Sequence, residues 1–220
     1  MTGVMARIPL FPLKTVLFPG MPLPLRIFEE RYKLMINRCV GERAPFGVLL
    51  IRSGEEVGGP AEPHKVGTTA RIARLQRLDE GRMNLITIGE QRFRIEQLDD
   101  SEPYLTGDVT FLESEDADSP DVGEHAERVA TLFGEQFRLA MAVSGQWARA
   151  VDLPSDPDRL ADHIAHQIEA SATEQQELLE ALSVQKRLRR EAELLGERIR
   201  ALTERWEEQR NKKFAGAALN

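Results

Sequence analysis

The sequence lacks several features that define particular classes of protein. Among its 220 residues Cys39 is the only cysteine, so no disulfide can form within the chain, and a reducing cytoplasm is the favoured location. No stretch approaches the roughly 18 uncharged apolar residues of a membrane helix, and no basic segment followed by an apolar run indicates a signal peptide. With 41% hydrophobic and 30% charged residues, the composition is typical of a globular chain.

An excess of positive charge is also missing. The formal net charge is −7; residues 1–113 carry 15 basic and 15 acidic residues, and residues 114–220 carry 14 and 21. A protein that binds nucleic acid normally has a basic excess somewhere, because the phosphate backbone supplies much of its affinity. Nucleic acid is therefore an unlikely partner, and the acidic second half indicates a solvated helical surface.

Local motifs give no support for catalysis, a cofactor or a metal. The chain has no G-x-G-x-x-G dinucleotide motif and no phosphate-binding loop. His163 and His166 are three residues apart on a predicted helix, but the H-E-x-x-H pattern and a third ligand are absent. Cys39 lacks the signature of an activated nucleophile and is expected to be a small buried apolar residue. We therefore expect no catalytic residue, no cofactor and no metal site.

The distribution of proline predicts two domains. All twelve prolines lie at or before Pro157, and the first half alternates short apolar runs with turn residues, which favours strands. We predict a β-rich domain over residues 7–113, an acidic linker over 114–123 and a helical domain over 124–214. The fold class is therefore α+β.

Seven runs in the first domain are predicted strands, and one segment is a predicted helix. The first two strands contain proline, which places them at an edge or a barrel rim. The sequence Asp79-Glu80-Gly81 predicts a hairpin turn in which glycine adopts a positive φ. The strands are Arg7–Leu13, Leu23–Ile27, Phe46–Arg52, Thr69–Leu78, Met83–Ile88, Phe93–Leu98 and Tyr104–Leu112; the helix is Glu29–Val40.

Helical spacing of apolar residues dominates the second half. Asp156 and Pro157 predict a helix start, and Ser171 with Glu174 has the spacing of a capping box. The last helix is predicted to run from about Thr173 to about Lys213. Its apolar residues Leu188–Trp206 are spaced four and three apart, which fits packing on its own chain or a homodimeric coiled coil.

Residues 8–28, IPLFPLKTVLFPGMPLPLRIF, form the most unusual segment. It contains five prolines, three phenylalanines, one methionine and only two charged residues. Such a stiff apolar segment either lines a core or presents a preformed apolar surface. In the second case apolar side chains of the segment and the helix after it contact apolar parts of another polypeptide, where methionine adapts to different shapes. The candidate peptide-binding residues are Phe18, Pro19, Met21, Phe28, Tyr32 and Met35.

From this segment onward the sequence resembles the N-terminal substrate-binding domain of the Lon protease family, over about residues 7–205. Each match is short, but they occur in one consistent order. The matching residues are Ile8–Leu13, Leu17–Gly20, Leu23–Leu25, Ile27–Glu29, Arg31-Tyr32, Phe46–Val48, Val66–Thr68 with Ala70 and Ile72, Gly89, Arg92–Ile95, Pro103–Leu105, Asp156-Pro157, Leu160–Asp162, Ile164-Ala165 and Gln176–Glu180.

The resemblance implies a PUA-like β-barrel domain followed by a helical bundle with a long terminal helix. It also implies recognition of unfolded or exposed apolar polypeptide, without enzymatic activity, and a protease or chaperone as a further partner. The ATPase module and Ser–Lys proteolytic domain of the proteases have no counterpart in these residues. The chain is thus expected to resemble the stand-alone bacterial proteins built from this domain. Minor departures are Glu30, where many relatives have proline, and Gly107, where alanine is common.

Two alternatives remain open at this stage. PUA-like domains of other families bind RNA, and several arginines of the predicted strands could form one positive face: Arg71, Arg74, Arg77, Arg82, Arg92 and Arg94. The second alternative is a dimeric scaffold or adaptor protein, which would assemble through Leu188–Trp206.

Overall fold

The computed structural model describes residues 5–56, 61–146 and 151–217, with side chains described as far as residue 211. Within these ranges the chain forms an α+β fold, as predicted. The strands are β1 Met5–Leu13, β2 Pro22–Ile27, β3 Phe46–Gly54, β4 Ala61–Pro63, β5 Val66–Arg77, β6 Met83–Asp99 and β7 Thr106–Phe111; the helices are α1 Glu30–Glu42, α2 Pro120–Val143, α3 Pro157–Gln167, α4 Ala172–Glu180 and α5 Val184–Ala217.

The chain divides into two compact units, neither of which is continuous in sequence. The first consists of Met1–Ser114 and Glu169–Leu182, and the second of Glu115–Ile168 and Ser183–Asn220. This division differs from the predicted one in two respects. Helix α2 begins at Pro120, inside the predicted linker, and α4 groups with the strands rather than with the other helices.

The strands of the first unit form one barrel-like sheet that is mostly antiparallel. Pairing follows the order β1-β7-β6-β5-β3-β4, and β1 also pairs in parallel with β3, so the pairing returns to the first strand. Strand β2 pairs with β6 alone, as expected of a proline-containing edge strand. Strand β6 is one strand of 17 residues, whereas the sequence predicted two strands in the same region.

Strand β1 is not a simple edge strand, although it contains Pro9 and Pro12. Its residues 5–9 pair with β7, and its residues 10–13 pair with β3. Each half of the strand therefore has a strand partner on one side. A missing proline N–H is tolerated where the backbone faces the side without a ladder.

The turn between β5 and β6 confirms the predicted hairpin. Asp79–Gly81 form a short 3-10 turn, in which Glu80 has a φ of 59° and Gly81 a φ of 70°. The positive φ of Gly81 carries no steric cost, because glycine has no Cβ.

The larger core of the first unit lies between α1 and the sheet. Helix α1 contributes its inward face through Tyr32, Met35, Ile36 and Cys39, which are all buried. The ring of Tyr32 packs against Phe11 of β1, with 4.1 Å between ring centroids. The first apolar segment of the sequence therefore supplies core residues as well as surface residues.

Helix α4 begins at the predicted capping box, with Ser171 and Glu174 bonded reciprocally. Two hydrogen bonds attach this helix to the sheet. The amide of Gln176 donates to the carbonyl oxygen of Val66 at 3.0 Å, and Nε of the buried Arg92 donates to the carbonyl oxygen of Leu179 at 3.0 Å. These bonds explain why α4 belongs to the first unit.

The predicted long terminal helix is present as α5, but it does not start at Thr173, because the chain breaks between α4 and α5. Ala181 has an extended backbone, and α5 starts only at Val184. Along α5 the residues of the predicted apolar stripe become less buried towards the C-terminal end. Leu188 and Leu195 are buried, whereas the residues from Ile199 to Trp206 that continue the stripe are half-buried.

A buried ion cluster lies at the centre of the second unit. The side chain of Arg187 on α5 is fully buried, and it donates to Asp162 of α3 at 2.6 Å and to Asp158, one turn earlier on α3. The two aspartates are four residues apart and so share one face of α3. The cluster fixes α3 against α5 within this unit.

Candidate functional site

The apolar segment folds into β1, a tight turn, β2 and the start of α1. The turn is attached to β6 by backbone hydrogen bonds: the Gly20 amide donates to the carbonyl oxygen of Gly89 at 2.8 Å, and the Gly89 amide donates to that of Met21 at 2.9 Å. Gly20 has a φ of 77°, which glycine adopts without strain. The segment is therefore held in place by the sheet.

Three of the six candidate peptide-binding residues are buried, although Tyr32 also lines a cleft beside Phe28. Phe18 and Met35 have no exposed surface, and Tyr32 is 5% exposed. Tyr32 and Met35 lie on the inward face of α1, and Phe18 ends the run of buried residues before the turn. The expectation that Phe18 and Met35 present a surface to a partner is corrected, because their side chains fill the core.

The other three candidates reach the surface, but the structure does not bring them together. Phe28 is 49% exposed, whereas Pro19 and Met21 are half-buried. Met21 precedes β2 and Phe28 follows it. At about 3.3 Å per residue the strand separates the two by roughly 23 Å.

An open cleft of about 260 Å³ lies beside Phe28. Its floor comes from β1, β2 and the start of α1, and the carboxylates of Glu29 and Glu56 stand at its margin. Most of these residues were not singled out from the sequence. The signal was present, since seven of the ten lining residues lie within the apolar segment 8–28. The lining residues are Phe11, Leu13, Pro24, Leu25, Arg26, Ile27, Phe28, Glu29, Tyr32 and Glu56.

The charged groups around this cleft are held by local contacts. The guanidinium of Arg31 lies 4.5 Å from the ring centroid of Tyr32 and 3.0 Å from the carboxylate of Glu29. On the opposite side the Lys14 amide donates to Glu56 at 2.8 Å. Burial raises the pKa of Tyr32, and the nearby Arg31 opposes that rise. The cleft can thus accept an apolar side chain between fixed polar groups.

The free edge of β2 is poor in hydrogen-bond donors. The Gly89 amide bonds to Met21, and backbone groups alternate in direction along a strand, so those of Pro22, Pro24 and Arg26 point away from β6. The two prolines have no N–H, which leaves Arg26 as the one amide donor among these three residues. Such an edge resists the addition of another strand. Contacts in the cleft must therefore be made largely by side chains.

The arginines proposed for RNA binding do not form one positive face. Arg71 pairs with Glu90 at 2.8 Å, and Arg77 donates to Asn37 at 2.9 Å. Arg92 is buried, with 4% of its surface exposed. Its burial removes it from any surface, and the RNA-binding alternative is not favoured.

The histidine pair and the cysteine show no arrangement for chemistry. Nε2 of His163 lies 2.6 Å from the Gln167 amide nitrogen, and burial lowers the pKa of both His163 and His166. Burial raises the pKa of the Cys39 thiol to about 11, so the reactive thiolate is disfavoured. Among the residues that the structure describes, no three His, Cys, Asp or Glu side chains are grouped to hold a metal ion.

None of the helices in the described ranges combines the length and the apolar character that crossing a membrane requires.

These features define a barrel-like α+β domain with an apolar surface cleft, joined in one chain to a helical unit. A family model described as the ATP-dependent protease La (LON) substrate-binding domain matches residues 7–197. The chain belongs to this family, as the sequence resemblance indicated.

Curated relatives confirm the assignment and show how much of them the chain covers. It is 30% identical over 188 residues to a Lon protease of Methylocella silvestris, a match covering 85% of this chain and 23% of that protein. It is also 30% identical over 193 residues to a Lon protease of Anaeromyxobacter dehalogenans, covering 86% and 23%. The chain therefore spans about a quarter of the length of these relatives.

Two solved structures share the fold. A Lon N-terminal domain protein from Xanthomonas campestris is 26% identical, with a TM-score of 0.62, and the match covers 84% of this chain and 95% of that one. The N-terminal domain of Lon protease from Mycobacterium avium complex gives a TM-score of 0.68 at 18% identity, covering 87% and 98%. The second likeness supports the fold alone.

Proposed function

We propose that this chain is a non-enzymatic recognition module that binds unfolded or exposed apolar segments of other polypeptides. The observation that carries the proposal is the cleft beside Phe28, which combines an apolar floor with a phenylalanine that is 49% exposed. An exposed aromatic ring next to an apolar depression is a favourable place to bury a side chain of a partner. Membership of the LON substrate-binding family supports the same function.

The proposed mechanism is binding without chemical change. An apolar side chain of the client enters the cleft and covers Phe28, and the removal of apolar surface from water drives the association. Because the edge of β2 offers few donors, the apolar side chains of the client rather than its backbone supply the contacts. Pro19 and Met21 lie at the far end of β2 and would contact a second part of a longer client.

The proposal extends to partners and location. We propose that a protease or chaperone receives the bound client, as the family resemblance suggests, and that the protein works in the reducing cytoplasm, where the single thiol of Cys39 stays reduced.

A titration with a fluorescent, permanently unfolded protein tests the proposed site. Replacing Phe28 with serine should weaken binding about five- to tenfold, because the contact of one large apolar side chain is lost. Leu34→Ser is the matched control, since Leu34 is 55% exposed on α1 and does not line the cleft. Absence of binding by the unaltered chain, or equal losses in the two variants, would remove the proposal.

A further inference from the structure

A second cleft, of about 350 Å³, lies along an unpaired edge of β5. Strand β3 pairs with β5 only as far as Ala70, which is opposite Phe46. Beyond Ala70, β5 continues to Arg77 with β6 on one side, and no described strand pairs with it on the other. The cleft is lined by five consecutive residues, Arg71–Leu75. Since successive side chains alternate between the faces of a sheet, a cleft that touches all five runs along the strand edge.

This edge differs from that of β2 because it is not protected by proline. Residues 71–75 are Arg-Ile-Ala-Arg-Leu, and each has a backbone N–H. The pairing with β6 shifts register between Ile72 and Arg74, which leaves Ala73 as a bulge. Bulges often redirect a strand next to a functional site. An extended polypeptide can find both hydrogen-bonding groups and apolar contacts here.

The charged residues that line the cleft are all basic. Arg43, Arg71 and Arg74 line it together with apolar residues such as Val40 and Ile72, and no carboxylate lines it. Arg71 pairs with Glu90 at 2.8 Å. Among the described residues, neither Arg43 nor Arg74 takes part in an ion pair. The cleft therefore fits a ligand that has apolar side chains and a carboxylate.

The position of Arg43 indicates where the carboxylate lies. Arg43 ends α1 with a φ of 53°, a left-handed conformation that is costly for a residue with a side chain. It precedes β3, whose first residue, Phe46, occupies the same edge of β5. A strand added along Arg71–Leu75 in the antiparallel sense would run in line with β3 and would have to end where β3 begins. A chain terminus meets that requirement.

We infer that the β5 edge binds the C-terminal residues of an extended, apolar polypeptide as an added antiparallel strand, with Arg43 holding the terminal carboxylate. Strand addition at an open sheet edge is a common way to recognise peptides. Arginine also forms strong charge-assisted hydrogen bonds with carboxylates. The site is distinct from the cleft beside Phe28 and would give the protein a preference for free chain ends.

Fluorescence anisotropy with a labelled hexapeptide, Gly-Ser-Thr-Val-Thr-Val with a free carboxylate, tests the inference at low ionic strength. Amidation of the C-terminus should weaken binding about tenfold, the loss of a charge-assisted hydrogen bond. Arg43→Gly should weaken binding of the free acid about tenfold and should leave the amide nearly unaffected. Arg94→Gln, an exposed arginine of β6 outside the cleft, is the matched control.

Further peptides test the binding mode. Two peptides are each N-methylated at one of two adjacent peptide bonds. Because alternate amides of an added strand face β5, one of the two peptides should bind roughly fivefold or more weakly. An amidated peptide with an internal glutamate should bind no better than the plain amide.

Equal affinity of acid and amide, no effect of N-methylation in either register, or tight binding of the glutamate peptide would overturn the inference. Arg43→Gly relieves backbone strain, so this variant should fold. If it folds and binds the peptide with unchanged affinity, the inference is also overturned. Phe28→Ser should leave hexapeptide binding unchanged. Loss of binding in that variant would assign the hexapeptide to the first cleft and would overturn the second site, whereas failure of the β5 site leaves the first proposal standing.

Discussion

A Cβ atom on Gly89 would lie 2.3 Å from the carbonyl oxygen of Phe18. The turn before β2 therefore lies directly on the backbone of β6, with no room for a side chain between them. The nearest obstacle is backbone, which cannot move aside as the end of a flexible side chain can.

We expect Gly89→Ala to lower the free energy of unfolding by about 2–3 kcal/mol, because the turn must shift away from the strand. Urea denaturation followed by circular dichroism measures this change. Gly134→Ala is the matched control: Gly134 is in α2 and has open space around its Cβ position. That variant should be stabilised by about 0.5–1 kcal/mol through helix propensity. A similar change in both variants would contradict the close approach.

Replacing Asp162 with asparagine should destabilise the chain strongly. The side chain of Asp162 is 6% exposed and lies 2.6 Å from the fully buried Arg187. Removal of its charge leaves Asp158 as the remaining aspartate bonded to the buried guanidinium, and breaking one pair of a buried ion cluster costs about 3 kcal/mol. Asp108→Asn breaks an arginine pair at the surface, with Arg7 at 2.8 Å, and should have a much smaller effect. Equal shifts in the urea midpoint of the two variants would show that the buried cluster stabilises the fold no more than the surface pair does.

Arg43→Gly should stabilise the chain by about 1 kcal/mol, because glycine adopts the left-handed conformation at the end of α1 without strain. Thermal and urea unfolding measure the gain. Leu34→Gly, in the regular part of α1, should instead lose about 1 kcal/mol. Destabilisation by Arg43→Gly would mean that the arginine side chain supports the fold. Together with weaker peptide binding, stabilisation would show that a strained residue is kept for a ligand.

The buried thiol of Cys39 should make stability depend on alkaline pH. Burial raises its pKa from 9.0 to about 11, so the folded state keeps a proton that the unfolded state releases. The contribution is fully present below pH 9 and is lost as the pH rises towards 11. Urea unfolding at pH 8, 9 and 11 measures it, and Cys39→Ala should flatten that part of the profile. An unchanged slope in the variant would assign the pH dependence to other groups.

The sequence predicted the elements whose signals are local. The hairpin glycine at Gly81, the caps at Asp156 and Ser171 and the helical spacing of α1 are all found. The break before α5 was missed, because residues 181–183 contain neither glycine nor proline, and the one local signal is Ser183, whose hydroxyl accepts from the Lys186 amide as a helix cap. The long strand β6 was read as two, since Gly89 resembles a turn but instead allows the close approach of Phe18.

The candidate site was harder to predict, since composition does not distinguish an apolar residue that fills the core from one that remains exposed. Phe18 and Phe28 occur in the same unusual segment, yet the first is fully buried and the second is half exposed. The difference depends on which face of the turn or strand meets the sheet, and that requires the register with β6. The unpaired edge of β5 could not be predicted from the sequence either, because it depends on where β3 stops pairing with β5.

The discontinuous first unit has a consequence for biosynthesis. Its last piece, α4, is separated from the strands by the whole of α2 and α3, and its residues Gln176 and Leu179 complete the hydrogen bonds of Val66 and Arg92. The packing of α4 and its two hydrogen bonds therefore form during translation only after about residue 182 has left the ribosome, although the described strands of the sheet all end before residue 112.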